Sequence, residues 1–479
     1  MRRLRRGLLP SLLGAAFLAA GLPAPLQGQA DYRRYFDEDN LPQVYEIFRS
    51  GRYETVIQVC DYALRRGQPS WEWRTLRFEA LSRVGRYEEA VEEAVATTEL
   101  FDGELGALLR AHELFRSLGL KDQATTMHAA INRAAGAVPA RERNALDLVH
   151  LAEAALLLGA DPARVLQQYL EVAKVMRGAG TAVPPGIVEA HLVAGRLALD
   201  KDDYARAARE FREAFKLDPQ NPEVLFGLAQ AFLPSDRETG SGYLDQVLER
   251  APRHKPALLL KAERAINFER FDEARALLEE VKSVNPRQPL ASAYRAVIAE
   301  LERNDPAAAA EARDRALSAW RDNPEIDHLI GRVLSRNYRH AEGAEAQMRA
   351  LAMDPGYLPA KLQLALDYLR LGRVDEAWPL AEAVGEADQY NILAFNLGVL
   401  RKEIESFASI RSDGFIIRMP PHEAEIYGDR VLEILTEAKE VLEERYGFAI
   451  EEPTLVEFYP NQQDFAIRSF GSLGGEGLL

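Results

Sequence analysis

Three glycines, Gly51, Gly85 and Gly119, stand 34 residues apart. The residues after the first two repeat as well, as Gly51-Arg52-Tyr53-Glu54 and Gly85-Arg86-Tyr87-Glu88. A small or branched apolar residue follows each glycine by five, as Val56, Ala90 and Ala124. A unit of this length holds one helix–turn–helix. It cannot bury its apolar face alone, so neighbouring units must stack. The period therefore predicts one long helical array, where 479 residues would otherwise suggest about three separate domains.

The clearest copy lies mid-chain, at 188–221. Gly195 is placed where the first helix of a unit meets the second, Tyr204 at the start of the second helix, and Ala207, Phe211 and Ala214 along its buried side. Pro219 closes the unit, and Pro252 and Pro286 follow at nearly the same interval. A small residue lets two helices approach, an aromatic fills the gap between hairpins, and proline cannot continue a helix. Ala262, Phe271, Ala274 and Leu278 fill these roles in a later copy. So do Gly331, Ala350 and Pro355, then Ala365, Tyr368, Gly372 and Ala377. These features resemble the tetratricopeptide repeat (TPR). The fold implied is mostly α: a TPR-like α-solenoid, a right-handed superhelix of about ten helical hairpins from about residue 38 to about 400, followed by a partial α+β segment. The stretch Gly178 to Pro185 reads as a loop between two sub-arrays, 31–180 and 181–405.

The first thirty residues read as a secretory signal peptide. Arg2, Arg3, Arg5 and Arg6 precede an uncharged apolar stretch from Gly7 to Leu22, and Gly28-Gln29-Ala30 is a small-x-small cleavage site. Cleavage near Ala30 would place the mature chain in the periplasm or outside the cell, with no stable membrane span. The whole chain carries a net charge of −15; removing four arginines leaves 55 basic against 74 acidic residues, a net of −19. Such a chain is a poor candidate for nucleic acid, whose phosphates require a basic face. The one cysteine, Cys60, excludes an intramolecular disulfide and any cysteine-based metal cluster. It falls at the large buried position of its repeat, so its role is packing. Trp71, Trp73, Trp320 and Trp378 read the same way.

From about Arg411 the pattern changes. Phe415–Met419 reads as a strand, and Glu423 to Tyr446 as an amphipathic helix ended by Gly447. Its apolar positions are Ile426, Val431, Leu432, Ile434, Leu435, Ala438 and Leu442. Thr454 to Tyr459 alternates like a strand. Asn461 caps a short helix with Phe465 and Ile467 inward, and a glycine-rich tail runs from Gly471 to Leu479. Across 413–477 the order FIIRMPPHEA, EERYGF, VEFYP and DFAIRSFG is similar to the opening of a peptidase MA-like domain, a zinc metallopeptidase module. That resemblance implies a zinc motif on a later helix. The chain holds no such motif: no two of its eight histidines are four residues apart. The i+4 positions after His112-Glu113 and His422-Glu423 are Arg116 and Ile426, which cannot bind zinc. No catalytic residue, metal ligand or cofactor site is therefore expected in this chain. Zinc enters only with a further C-terminal half, in which case the chain is the N-terminal part of a secreted metallopeptidase.

The stronger expectation is a binding surface. In a TPR superhelix the first helix of each unit, helix A, lines the concave face. The repeat register places Glu79, Arg83, Arg196, Glu263, Asn267, Arg332, Arg336 and Arg370 there. The basic members suit the carboxylates of a protein or peptide partner. The expected function is an exported scaffold that holds a protein or peptide.

Overall fold

The computed structural model describes residues 41–67, 70–137, 144–176, 185–412, 414–450 and 453–470. The signal-peptide stretch, nearly all of the loop at Gly178–Pro185 and the tail from Gly471 lie outside the described residues. Those described form ten helical hairpins and an eleventh leading helix. The first five pairs are α1 (Leu41–Arg49) with α2 (Tyr53–Arg65), α3 (Trp71–Arg83) with α4 (Tyr87–Leu100), α5 (Leu105–Ser117) with α6 (Lys121–Ala137), α7 (Ala145–Leu157) with α8 (Pro162–Met176), and α9 (Pro185–Asp200) with α10 (Tyr204–Leu217). The next five are α11 (Pro222–Phe232) with α12 (Arg237–Arg250), α13 (Lys255–Asn267) with α14 (Phe271–Val284), α15 (Pro289–Arg303) with α16 (Pro306–Ala316), α17 (Pro324–Arg336) with α18 (His340–Met353), and α19 (Leu358–Arg370) with α20 (Val374–Ala387). Helix α21 (Ile392–Ile404) closes the stack. Odd-numbered helices are the A helices of the repeat. No described helix is long and apolar enough to cross a membrane.

Local chemistry accounts for the helix ends. Asn221 and Asn323 accept a backbone N–H through their side chains and are followed by Pro222 and Pro324, whose missing donor costs nothing at a first helical position. Asp305 caps α16 ahead of Pro306 in the same way. In nine of the ten pairs the turn holds one residue in the left-handed region; the α11–α12 turn has none. Gly51, Gly85, Gly119, Gly159 and Gly372 take it at φ between 70° and 89°. Asp202, Glu269, Asn304 and Tyr338 take it where glycine is lacking. The glycine period is thus the period of one backbone conformation.

Phe211 shows how hairpins interlock. Its ring is 1% exposed and sits between α9 and α11. A Cβ at Gly195 would come within 2.6 Å of it, and one at Gly227 would overlap it from the other side. Ala207 and Ala214 beside it are fully buried, as is Cys60 in the first repeat. One buried cluster joins α7, α8 and α9, so packing continues across the expected boundary between sub-arrays.

The array winds far enough to meet itself. The turns of the first, second, third and fifth hairpins touch connectors almost six hairpins further along. Asn285 donates through Nδ2 to the Tyr87 hydroxyl at 2.9 Å, 198 residues away, and Arg287 pairs with Glu88 at 2.7 Å. Lys255 donates to the Arg83 carbonyl at 2.7 Å. Lys201 pairs with Asp388 at 2.6 Å, and the Ile392 N–H donates to the Lys201 carbonyl at 3.0 Å. Gly51 packs on Arg253, Gly85 on Asn285 and Gly119 on the Trp320 indole. We refer to this line of contacts as the seam.

After α21 comes a three-stranded sheet of order β1-β2-β3. Strands β1 (Ala408–Arg411) and β2 (Phe415–Met419) are antiparallel, with Ile410 opposite Ile417. Strand β3 (Thr454–Glu457) runs parallel to β2, after the crossover helix α22 (Pro421–Tyr446). The chain then enters α23 (Gln462–Phe470). Strand β1 was not foreseen: four residues following a helix carry too little alternation to read. The apolar positions of α22 also divide between two faces. Val431, Leu432 and Leu435 pack on Phe415, Ile417 and Met419 of β2, whereas Ile426, Ile434 and Leu442 are exposed. In α23 it is Ala466 and Ile467 that face inward; Phe465 is 41% exposed, contrary to the expectation, because Ile467 is the residue that meets α21 and its neighbours.

Candidate functional site

The A helices surround a lumen with a cavity of about 1660 Å³. Seven of the eight residues chosen from the repeat register line it: Glu79 and Arg83 on α3, Glu263 and Asn267 on α13, Arg332 and Arg336 on α17, and Arg370 on α19. Arg196, on α9, is not among the lining residues and bonds to Glu223 at 3.0 Å. The period brings the seven together because equivalent positions in successive A helices project to the same side of the stack.

The register could not reveal how these groups pair with one another. Glu263 is 3% exposed and fully satisfied. Arg332 grips both of its oxygens, at 2.8 and 2.7 Å, Arg336 adds a bond at 2.5 Å, and the Tyr294 hydroxyl donates at 2.6 Å. Burial alone would raise the carboxyl pKa. The two guanidinium groups and Tyr294 outweigh it and hold the value at about 2. Burial likewise opposes the charge of Arg332, but Glu263 raises its pKa. Arg336 is lowered by burial and by the Arg332 charge. Glu263 is therefore an internal counter-ion, unavailable to a partner. Asn267 is also engaged, accepting from Asn337 Nδ2 at 3.1 Å.

Other charges remain uncovered. Arg336 is 53% exposed at the side chain, with one bond to Glu263. Among the described residues Arg370 has no ion-pair partner; burial and the neighbouring Arg468 lower its pKa. Arg83 has none either, and lies over the Phe48 ring at 5.9 Å. Asp367, a second acid on this side of the lumen, is 1% exposed, whereas Glu325 near the start of α17 also lines the cavity and is exposed. The wall built from α13, α17, α19 and α23 thus presents Arg336 and Arg370 to the lumen and covers Glu263 and Asp367, with Glu325 the acid left exposed. The first-turn wall is mixed: Arg110 pairs with Glu153 and Glu113, while Glu113 itself stays 70% exposed.

Several lumen residues escaped the sequence reading. Tyr294 supports Glu263 from α15, and its only signal is burial at a repeat position. Lys255 is 6% exposed at the seam, where burial and Arg83 lower its pKa to about 7. Tyr338 is 88% exposed in the left-handed region, at φ 63°. It stands at the position Gly372 fills in the next repeat, which was the one available signal. A bulky residue there is strained, and such strain concentrates at functional surfaces.

One family model and several solved structures are similar to parts of the chain. Residues 192–241 match the tetratricopeptide repeat family. The chain is similar to the structure of yeast Tom70, at 16% identity and TM-score 0.33, covering 76% of this chain and 96% of that one. It is also similar to a thermophilic TPR protein of Thermus thermophilus, at 23% identity and TM-score 0.32, covering 38% and 99%. PilF of Pseudomonas aeruginosa is similar at 16% identity and TM-score 0.28, covering 42% and 91%. No curated protein sequence matches the chain significantly. The segment from α9 into α12 carries a tetratricopeptide repeat, set in a TPR-like α-solenoid, an architecture suited to holding other proteins.

Proposed function

We propose that the chain is an exported scaffold that holds a protein partner by an extended acidic segment seated in the lumen. The observation that carries this reading is the second-turn wall, where Arg370 and Arg336 face the cavity while Glu263 and Asp367 are covered. Guanidinium groups recognise carboxylates with two parallel bonds, and an enclosed wall strengthens the attraction relative to open water. A fluorescent hexaglutamate peptide titrated into the full chain tests it. Replacing Arg336 and Arg370 together by Ala should weaken binding by about tenfold or more, and added salt should weaken it further. Equal affinity for the unaltered and doubly substituted chains refutes the reading. Export is a separate element, supported by the arginine-led apolar stretch before Ala30. A processed chain beginning near Asp31 in the periplasmic or secreted fraction would agree with it, and an intact N-terminus retained in the cytoplasm would not.

A second reading, that the chain is the N-terminal part of a zinc metallopeptidase, draws support from the exposed face of α22. Tyr427, Ile434 and Val441 are 57%, 48% and 55% exposed there, an apolar stripe that further polypeptide would cover. An in-frame HExxH within about a hundred codons beyond residue 479 would favour it, and its absence would count against it.

A further inference from the structure

The period-34 glycines do two jobs. Each of Gly51, Gly85 and Gly119 supplies the left-handed turn of its hairpin, and each is pressed against the other superhelical turn. A Cβ at Gly51 would sit 2.9 Å from the Arg253 Cβ. One at Gly119 would sit 2.5 Å from the Trp320 ring, and one at Gly85 would overlap the Asn285 amide. Gly372, which takes the same backbone conformation, has nothing within 4 Å. In the second superhelical turn, hairpins without such a neighbour use Glu269, Asn304 and Tyr338 at this position. The left-handed conformation can be met by other residues, even on the seam, where Asp202 of the fifth hairpin accepts from Asn391 at 3.1 Å; at the first three hairpins the closer approach leaves no room for a Cβ.

The seam is also well satisfied. Asn285 is fully buried, Lys255 and Tyr87 are nearly so, and their polar atoms bond across it. The Arg287 guanidinium lies 4.9 Å over the Tyr87 ring while pairing with Glu88. Among the described residues the contacts recur at the first, second, third and fifth hairpins. Except at the fourth hairpin, where Gly159 has nothing within 4 Å, the lumen is walled on its side by close-packed turns. Its lining includes Arg370 on α19 and, on α23, Arg468 and Ser469.

We infer that the lumen is loaded through its ends with the seam closed, so that the partner it fits is a linear acidic segment with a free end. An acidic loop tethered at both ends to folded domains is excluded. This rests on the lumen reading above and adds the route of entry. The uncovered arginines set the chemistry of the segment, and the seam sets its topology.

The test compares two probes on the full chain. One is a hexaglutamate tail at the end of a small folded carrier; the other is the same six residues between two copies of that carrier. The unaltered chain should bind the free tail and bind the flanked segment at least about tenfold more weakly. Gly85→Ala with Gly119→Ala, which forces the turns apart, should bring the two affinities together. Should that variant fail to fold, a staple decides: Glu88→Cys and Arg287→Cys joined by a short bis-alkylating reagent. Cys60 is fully buried and stays unlabelled. The stapled chain should still take the free tail and refuse the flanked segment. Equal binding of both probes by the stapled or unaltered chain overturns end entry while leaving the lumen reading intact. Loss of the free tail on stapling also overturns end entry. A free tail that never binds the unaltered chain overturns the lumen reading, and end entry with it.

Discussion

Replacing Glu263 by Gln keeps the shape of the side chain and removes the charge that Arg332 and Arg336 share. The carboxyl moves from an ordinary value of 4.5 to about 2 on folding. At ~1.4 kcal/mol per unit this corresponds to about 3 kcal/mol, consistent with the cost of breaking a buried ion pair from one side. Because the folded pKa is depressed, this stabilisation is present in full above pH 4.5 and is lost as pH falls towards 2. A repeat array need not unfold as one unit, so a global midpoint is a poor readout. Native-state hydrogen exchange resolves segments. Glu263→Gln should speed exchange in α13, α15 and α17 by about 100-fold at pH 7, with α3 to α7 unchanged. The unaltered chain should lose protection in those same helices between pH 4.5 and 2. The variant should lose much less there, having no carboxylate to protonate. A change below about threefold, or one spread evenly over the array, would refute the reasoning. So would a variant that keeps the acid-dependent loss of the unaltered chain.

Three further outcomes are expected. Phe211→Ala empties the space between Gly195 and Gly227 and should destabilise α9 to α12 by about 3–5 kcal/mol, seen as faster local exchange confined to that segment. Lys255 has its pKa depressed from 10.5 to about 7, so the folded form gains stability as pH rises through that interval and is flat with respect to this group below it. Local opening free energies of α13 from native-state hydrogen exchange should lack that alkaline gain in Lys255→Met when compared with the unaltered chain over pH 7 to 10; parallel profiles would show that the group is not buried as described. Burial pushes the Cys60 thiol far above its ordinary range. It should resist a thiol reagent in the native chain at pH 8 and react fully in denaturant; prompt native labelling would contradict the packing role.

Much of this molecule was readable because its rules are local. A left-handed turn every 34 residues, a capping side chain with proline behind it, and alanines opposite an aromatic specify hairpins from nearest neighbours alone. They also specify which side of each A helix faces inward, so seven of eight register-chosen residues reached the lumen. The short strand β1 and the two faces of α22 were not readable in this way. Four residues carry little pattern, and a helix that packs on one strand does not need every apolar position.

The sequence by itself determined the unit, its repetition and its inner face. Only the tertiary structure decided that Glu263 is held by two arginines from a helix about seventy residues away, leaving Arg370 uncovered. Only the tertiary structure decided, too, that Gly85 meets Asn285 at a point where a Cβ would not fit. The reason is cumulative. Each hairpin is rotated a little relative to the one before, and the position of residue 285 over residue 85 is the sum of those small rotations. No single repeat carries that sum, so no local pattern records it.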